Sequence, residues 1–469
     1  MNNDPMRIHL SLVSHTNIGK TTLARTLLSR DIGEVADRAH VTETTDDYVL
    51  ARTPEGCELI LWDTPGFGNS VALAKRLEGR TNPVGWFMAE VWDRMANKSL
   101  WLNQKAIKHV KETSNVVLYL VNATELPDTA PYVSAEMRIL SWIGKPVIVL
   151  LNQMGEPKAP ELEQADVDRW KDAMASYPIV HSVLPMDAFA RCWVQEYALF
   201  DAIAKALPEE LQATMESLRE VWSRQRRAAY NASIQALTNY LEKLANDKEV
   251  AENTSVVDQI KFLGKRLGLF KHETMHDPIG AAQTALSSRA ADEFCALTDK
   301  LIAINGLKGK GVRKELLARM QTDYNVKSAV PAAPAAAIGA VGTGAAGGLA
   351  SDLATGGLSL GLGTLIGTVV GALAGAGLAV AYNHKKDLNG TQITWSDNAL
   401  NHFFQNTVLL YLAVSHFGRG RGNWSEQHYP ESWLKVIDEI MDSKKESVGR
   451  DFNQVIFAVF AKIYPTAKM

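Results

Sequence analysis

The sequence predicts an α/β domain with a mostly parallel sheet, followed by an all-α region that carries a Gly/Ala-rich apolar helical hairpin. Three observations carry that prediction. Near the N-terminus an alternating apolar–polar run, a tight loop ending in Gly19-Lys20-Thr21 and a helix-like run follow in order. Strand-like runs then alternate with helical stretches, the pattern of a sheet with crossover helices. Beyond residue 208, apolar residues recur at helical steps, and between 328 and 384 charge almost disappears. The expected divisions are an α/β domain over 1–207, a helical domain over 208–327, the hairpin over 328–384 and a helical tail over 385–469.

Composition narrows the class. A chain of 469 residues exceeds one ordinary core, and 46% hydrophobic with 22% charged residues is a globular balance. A net charge of −3 gives no reason to expect a nucleic-acid partner. Cys57, Cys192 and Cys295 lie far apart without metal-ligand spacing and read as thiols in a reducing compartment. The opening MNNDPMRIHL lacks the basic-then-apolar pattern of a secretory signal, so the cytoplasmic side is expected.

Residues 7–13 alternate like a strand, and 22–29 read as a helix. Between them lies SHTNIGKT, close to the phosphate-loop pattern G-x-x-x-x-G-K-[ST] with Ser14 in place of the first Gly. In such a loop the backbone amides cradle phosphates, the Lys reaches the β/γ oxygens and the hydroxyl holds Mg²⁺. Asn17, Ile18, Gly19, Lys20, Thr21 and Thr22 are therefore the candidate nucleotide-binding residues of the loop. Strand-like runs are expected at 48–52, 58–62, 116–122 and 147–152. The second of these leads into Asp63-Thr64-Pro65-Gly66. An Asp there can hold the Mg²⁺ shell, and Gly66 leaves an amide free for a γ-phosphate. Thr42, with Thr44 and Thr45 as rivals, lies in the polar segment where a switch threonine would close over Mg²⁺. Trp86, Trp92 and Trp101 fall on expected helices and read as core aromatics of an insertion near the second switch.

These residues resemble the Ras-like GTPases of the Era/TrmE class over roughly the first 200 residues. The resemblance implies GTP/GDP as ligand, Mg²⁺ at Thr21, Thr42 and Asp63, and phosphate contacts at Lys20, Thr21 and Gly66. It also implies a K⁺ ligand at Asn17, with potassium-stimulated hydrolysis. The position after Gly66 is Phe67, where Ras-type enzymes place a water-orienting Gln, so no catalytic side chain is assigned and slow turnover is expected. The class reads its base with N-K-x-D, whereas this chain has Asn152-Gln153-Met154-Gly155. Asn152 is retained as a nucleotide-binding candidate. Loss of the Asp contact is worth roughly 2–4 kcal/mol of base discrimination and leaves ATP open. Glu156 is one residue late as a substitute, and residues 184–188 are a candidate base-side loop.

In the second half, Leu211, Met215, Leu218 and Trp222, then Ile234, Leu237, Leu241 and Leu244, form helical stripes. Val256, Ile260, Leu263, Leu267 and Phe270 make another, favoured as a packed helix over a basic membrane-surface one. Residues 329–350 and 358–382 each match a bilayer core in length, ~20 residues. Gly363, Gly367, Gly371 and Gly375 line one face, as in close helix packing. Lys327, Lys385 and Lys386 flank the pair on one side, consistent with both ends being cytoplasmic. Residues 400–417 and 452–463 read as buried helices.

The whole arrangement is similar to a proteobacterial family in which an Era-like domain precedes a C-terminal domain of unknown function; 33–38 (GEVADR) and 151–153 (LNQ) fit it. The function expected is a membrane-associated switch on the cytoplasmic side of the inner membrane. It would bind and slowly hydrolyse GTP and couple nucleotide state to the helical half, with inner-membrane lipid and a homo-oligomer through the glycine hairpin as partners. The alternatives are an oligomerising membrane-remodelling or pore-forming effector, and a soluble Era-like ribosome-associated GTPase.

Overall fold

The computed structural model describes residues 5–28, 46–90, 98–154, 160–186, 193–251, 278–306, 382–387, 390–415, 431–443 and 451–463. Thr42, Thr44, Thr45, Trp92, Glu156, the stripe from Val256 to Phe270 and residues 328–381 of the hairpin lie outside them. No helix among the described residues is long and apolar enough to cross a membrane.

Six strands form the first sheet: β1 (Arg7–Ser14), β2 (Asp46–Arg52), β3 (Glu58–Asp63), β4 (Val116–Asn122), β5 (Val147–Asn152) and β6 (Val180–Pro185). Their order is β2-β3-β1-β4-β5-β6, parallel throughout except for the antiparallel β2–β3 pair. The central strands are buried on both faces, and their alternation sorts side chains between two layers. Ile8, Leu10, Leu12, Leu118 and Leu120 pack with α1 (Lys20–Leu28), α7 (Trp193–Ala206) and α8 (Glu209–Asn246). Val13, Val117, Tyr119 and Val121 pack with α2 (Ser70–Leu77), α3 (Pro83–Ala89), α4 (Lys98–Thr113), α5 (Pro131–Ile143) and α6 (Pro160–Met174).

The helix ends follow local chemistry. Pro131 opens α5, and Gly144, at φ 78°, ends it with its amide on Leu140 O. Asn82 caps α3 by accepting from the Gly85 amide at 3.0 Å. The core aromatic of this region is Phe87, while Trp86 is only half-buried and lies beneath Arg80, 3.4 Å from ring centroid to guanidinium carbon. Trp101 is likewise half-buried, with Lys105 Nζ 4.1 Å from its ring centroid. The expectation that these tryptophans fill the core is corrected: a cation over the ring compensates for leaving it at the surface.

The second half is not all-α. Strands β7 (Lys248–Ala251), β8 (Tyr382–Asp387) and β9 (Gly390–Trp395) form an antiparallel sheet in the order β7-β9-β8. Tyr382 pairs with Trp395 and His384 with Ile393, so the last residues assigned to the apolar hairpin belong to a strand. Around this sheet pack α8, α9 (Pro278–Ile304), α10 (Asp397–Ser415), α11 (Glu431–Ser443) and α12 (Phe452–Ile463). One core therefore joins elements from 208–327 with those from 385–469, and the segment between α9 and β8 is an insertion into it. Helix α8, 38 residues and about 57 Å long, serves both cores. Met215, Leu218 and Trp222 complete the first, and Tyr230, Leu237, Leu241 and Leu244 the second. A border at 207/208 thus runs through packed side chains.

Candidate nucleotide site

The parallel strands deliver their C-terminal ends to one edge of the sheet. Leu12 of β1 is in register with Asp63, and Asn122 with Asn152, so the loop after β1 lies between these two ends. Ser14 closes β1, and α1 starts at Lys20. Between them the chain takes left-handed conformations at Asn17 (φ 66°) and Gly19 (φ 92°). Only glycine suits the second position: a Cβ there would stand 2.8 Å from Asn152 Nδ2. Position 14 needs no glycine, and its hydroxyl is put to use. Ser14 Oγ accepts from Lys20 Nζ at 3.1 Å and donates to His15 O at 2.5 Å.

Lys20 is buried in the first turn of α1. Burial lowers its pKa, opposed by the charges of Asp63 and Glu136. Thr21 Oγ1 donates to Asp63 Oδ2 at 2.6 Å, while Asp63 Oδ1 is buried without a hydrogen-bond partner among the described residues. Burial raises the Asp63 pKa, opposed first by Lys20 and then by the Thr21 hydrogen bond. A hydroxyl and a carboxylate with an unsatisfied buried oxygen form an all-oxygen donor set that suits a hard divalent cation such as Mg²⁺.

The segment after β3 is fastened to the loop. Thr64 Oγ1 donates to Leu12 O at 2.6 Å, and the Phe67 amide donates to Ser14 O at 2.9 Å. Gly66 passes so close that a Cβ on it would lie 3.0 Å from Lys20 Nζ and 3.2 Å from Thr16 Cα. Gly66→Ala is expected to push Lys20 and the loop apart, costing about 1–2 kcal/mol of stability and about tenfold in nucleotide affinity. Titration with a fluorescent GTP analogue checks it; unchanged affinity would mean the two segments separate before nucleotide binds.

The other candidates divide by position. Asn17 is exposed, Ile18 joins the α1 core, and Thr22 is buried inside the helix, where its carbonyl accepts from Thr26 Oγ1. Asn152 is fully buried and donates Nδ2 to Ile18 O at 2.6 Å, so it braces the phosphate loop from behind. Gln153, left-handed at φ 54°, reaches the same loop through Nε2 to Asn17 O at 3.4 Å. Thus Asn152 and Gln153 both act on the loop. Phe67 is fully buried in the α2–α5 layer.

Sequence reasoning missed a group beneath the loop. His15 Nδ1 lies 2.8 Å from Glu136 Oε1, and Tyr119 OH donates to Glu136 Oε2 at 2.9 Å. The His15 ring stacks on Tyr132 with centroids 4.6 Å apart. A signal was present: Glu136 falls on the stripe of α5 defined by Val133, Met137 and Leu140, where a carboxylate is out of place.

Residues 9–153 match the family model described as "50S ribosome-binding GTPase", and residues 324–454 match a domain of unknown function (DUF3482). No curated protein matches the chain. Among solved structures it is similar to Era in complex with MgGDPNP and a piece of 16S ribosomal RNA, at 19% identity and a TM-score of 0.33. It is also similar to Aquifex aeolicus Era bound to GDP·AlF4⁻, at 20% identity and a TM-score of 0.31. Each alignment covers 44% of this chain, which spans only 58% of either Era chain. The chain thus pairs an N-terminal domain of the Ras-like P-loop GTPase type over residues 9–153 with a C-terminal domain of unknown function over residues 324–454.

Proposed function

We propose that the protein is a guanine-nucleotide switch that hydrolyses GTP slowly and passes its nucleotide state to the C-terminal half. The observation that carries this reading is the Thr21–Asp63 pair with its unsatisfied buried oxygen, set beside the Lys20 ammonium. Mg²⁺ bound by Thr21 and Asp63, with Thr42 as a further ligand, would neutralise charge on the phosphate oxygens. Lys20, already desolvated, offers its ammonium to the same oxygens at no further burial cost. Gly66 supplies a backbone amide beside it. Phe67 is packed in the core and has no group to orient water, which favours slow turnover or help from a cation or partner. Asn17 is the residue we assign to K⁺.

The route to the other half runs along α1. Arg226 of α8 donates to Leu27 O near the end of α1 at 3.3 Å, and pairs with the buried Glu196 of α7 at 3.2 Å. The helix that begins at the phosphate loop is thus tied at its far end to the element shared by both cores.

The decisive experiment is hydrolysis of GTP and ATP by the full chain, in K⁺ or Na⁺, with and without liposomes and with excess EDTA. Low but Mg²⁺-dependent GTP hydrolysis, faster in K⁺, is expected. Equal background rates for both nucleotides in every condition would refute the enzyme reading. Attachment to the inner membrane rests on the composition of residues 328–381. Deleting 329–381 and fractionating cells tests it, because unchanged solubility removes the membrane from the proposal. The family description favours a second reading, a soluble ribosome-associated GTPase, for which co-sedimentation of the GTP-loaded chain with 50S subunits is the corresponding test.

A further inference from the structure

A fully buried carboxylate in the middle of an apolar helix face needs a reason, because an aliphatic residue of similar size would satisfy the same packing without desolvating a charge. Glu136 is 0% exposed and sits between α5 and the sheet. Both of its oxygens are engaged, one by Tyr119 of β4 and the other by His15, the second residue of the phosphate loop. Burial raises its pKa, and the strongest opposing influence is the hydrogen bond from His15. The same carboxylate is the second of the two charges that support the Lys20 ammonium.

His15 is held on more than one side. Its ring is stacked on Tyr132, whose hydroxyl donates to Glu125 Oε2 at 2.7 Å. Its backbone forms a parallel bridge with Phe67, directly after Gly66. His15 therefore fixes the loop where β1 ends, where the Asp63–Gly66 segment crosses, and from below through α5.

We propose that Glu136 is a positioning residue of the nucleotide site: acting through His15, it holds the phosphate loop in the shape that receives the β- and γ-phosphates. The role rests on the guanine-nucleotide reading above and adds to it a part of the binding machinery outside the motifs. Removing the carboxylate frees the imidazole, and the backbone from Ser14 to Gly19 then loses its lower anchor. The loop's open form becomes populated, and nucleotide must reorganise it on binding.

The test compares Glu136→Gln, Glu136→Leu and the double variant His15→Phe/Glu136→Leu with the wild-type full chain. Affinity is read with a fluorescent GDP analogue, and nucleotide-free stability by thermal melting. Glu136→Leu is expected to weaken GDP binding about tenfold, whereas Gln, which still accepts from His15, keeps most of the affinity. The double variant removes the His15–Glu136 pair and leaves the buried Tyr119 hydroxyl without its acceptor, so its melting temperature should recover in part while GDP affinity stays low. That separation of stability from affinity marks a positioning role. A double variant that binds GDP like the wild type would overturn the proposal and leave Glu136 as a core residue only. If Glu136→Leu does not fold, the Gln and double variants still decide. A wild-type chain that binds no GDP would instead bring down the nucleotide reading itself.

Discussion

Lys20→Ala is expected to weaken GDP and GTP binding by about 10²-fold or more, the largest functional effect of any single change in the chain. The ammonium lies within reach of Ser14 Oγ, close to Asp63 and almost against Gly66. It has already lost its water, so the contact it makes with a phosphate replaces little solvation. Alanine removes the cation that offsets the negative charge of Asp63 and Glu136, so a bound polyphosphate would meet that charge uncompensated. Calorimetric titration with Mg·GDP measures the effect. An affinity within about threefold of wild type would show that phosphate is held elsewhere.

Trp222→Ala is expected to cost about 3–5 kcal/mol of stability, the largest effect outside the site. The indole is 3% exposed, stacks on Phe200 with centroids 4.5 Å apart and meets the edge of Tyr197 at 4.9 Å. Its removal leaves a void between α7, α8 and the sheet, and those neighbours are large rings that cannot collapse into it. Because α8 contributes to both cores, the loss should move the denaturation midpoint of the whole described body together. A cost below about 1 kcal/mol would mean that the first half of α8 adds little to the nucleotide domain.

Much of the first domain was legible in the sequence because its strands are buried on two faces and its loops carry chemistry. The run at 7–13 became β1, and the runs at 116–122 and 147–152 became β4 and β5 with unchanged bounds. Strand β6 gave no comparable signal: His181 and Ser182 interrupt it, it lies at the sheet edge and it ends at Pro185. The tail helices α10 and α12 announced themselves through apolar runs too short and interrupted to span a bilayer, whereas among the described side chains of α11 Trp433, Ile437 and Ile440 are the buried ones. The small second sheet was illegible. Lys248 pairs with Thr394, a contact that no local pattern encodes, and only alternate residues such as Ile393 and Trp395 are buried.

The site divides in the same way. Residues proposed to meet phosphate or metal follow one another in short motifs, so Lys20, Thr21, Asp63 and Gly66 stand out as candidates in the sequence. The residues that hold the loop in place come from distant elements, and pairing His15 with Glu136 requires knowing how α5 lies on β1. Asn152 was a nucleotide-binding candidate in the sequence, and its hydrogen bond to Ile18 O was not legible there.

The shared helix also sets a mechanical scale. From Arg226 to the end of α8 at Asn246 the axis runs about 30 Å, so a tilt of about 5° near Arg226 sweeps the far end through roughly 2–3 Å. At that end stand β7 and the ion pairs of Arg289 with Asp247 and Glu249. If nucleotide shifts the phosphate loop and α1 passes that shift to Arg226, as proposed, α8 would turn it into a displacement the size of a side-chain contact at the little sheet.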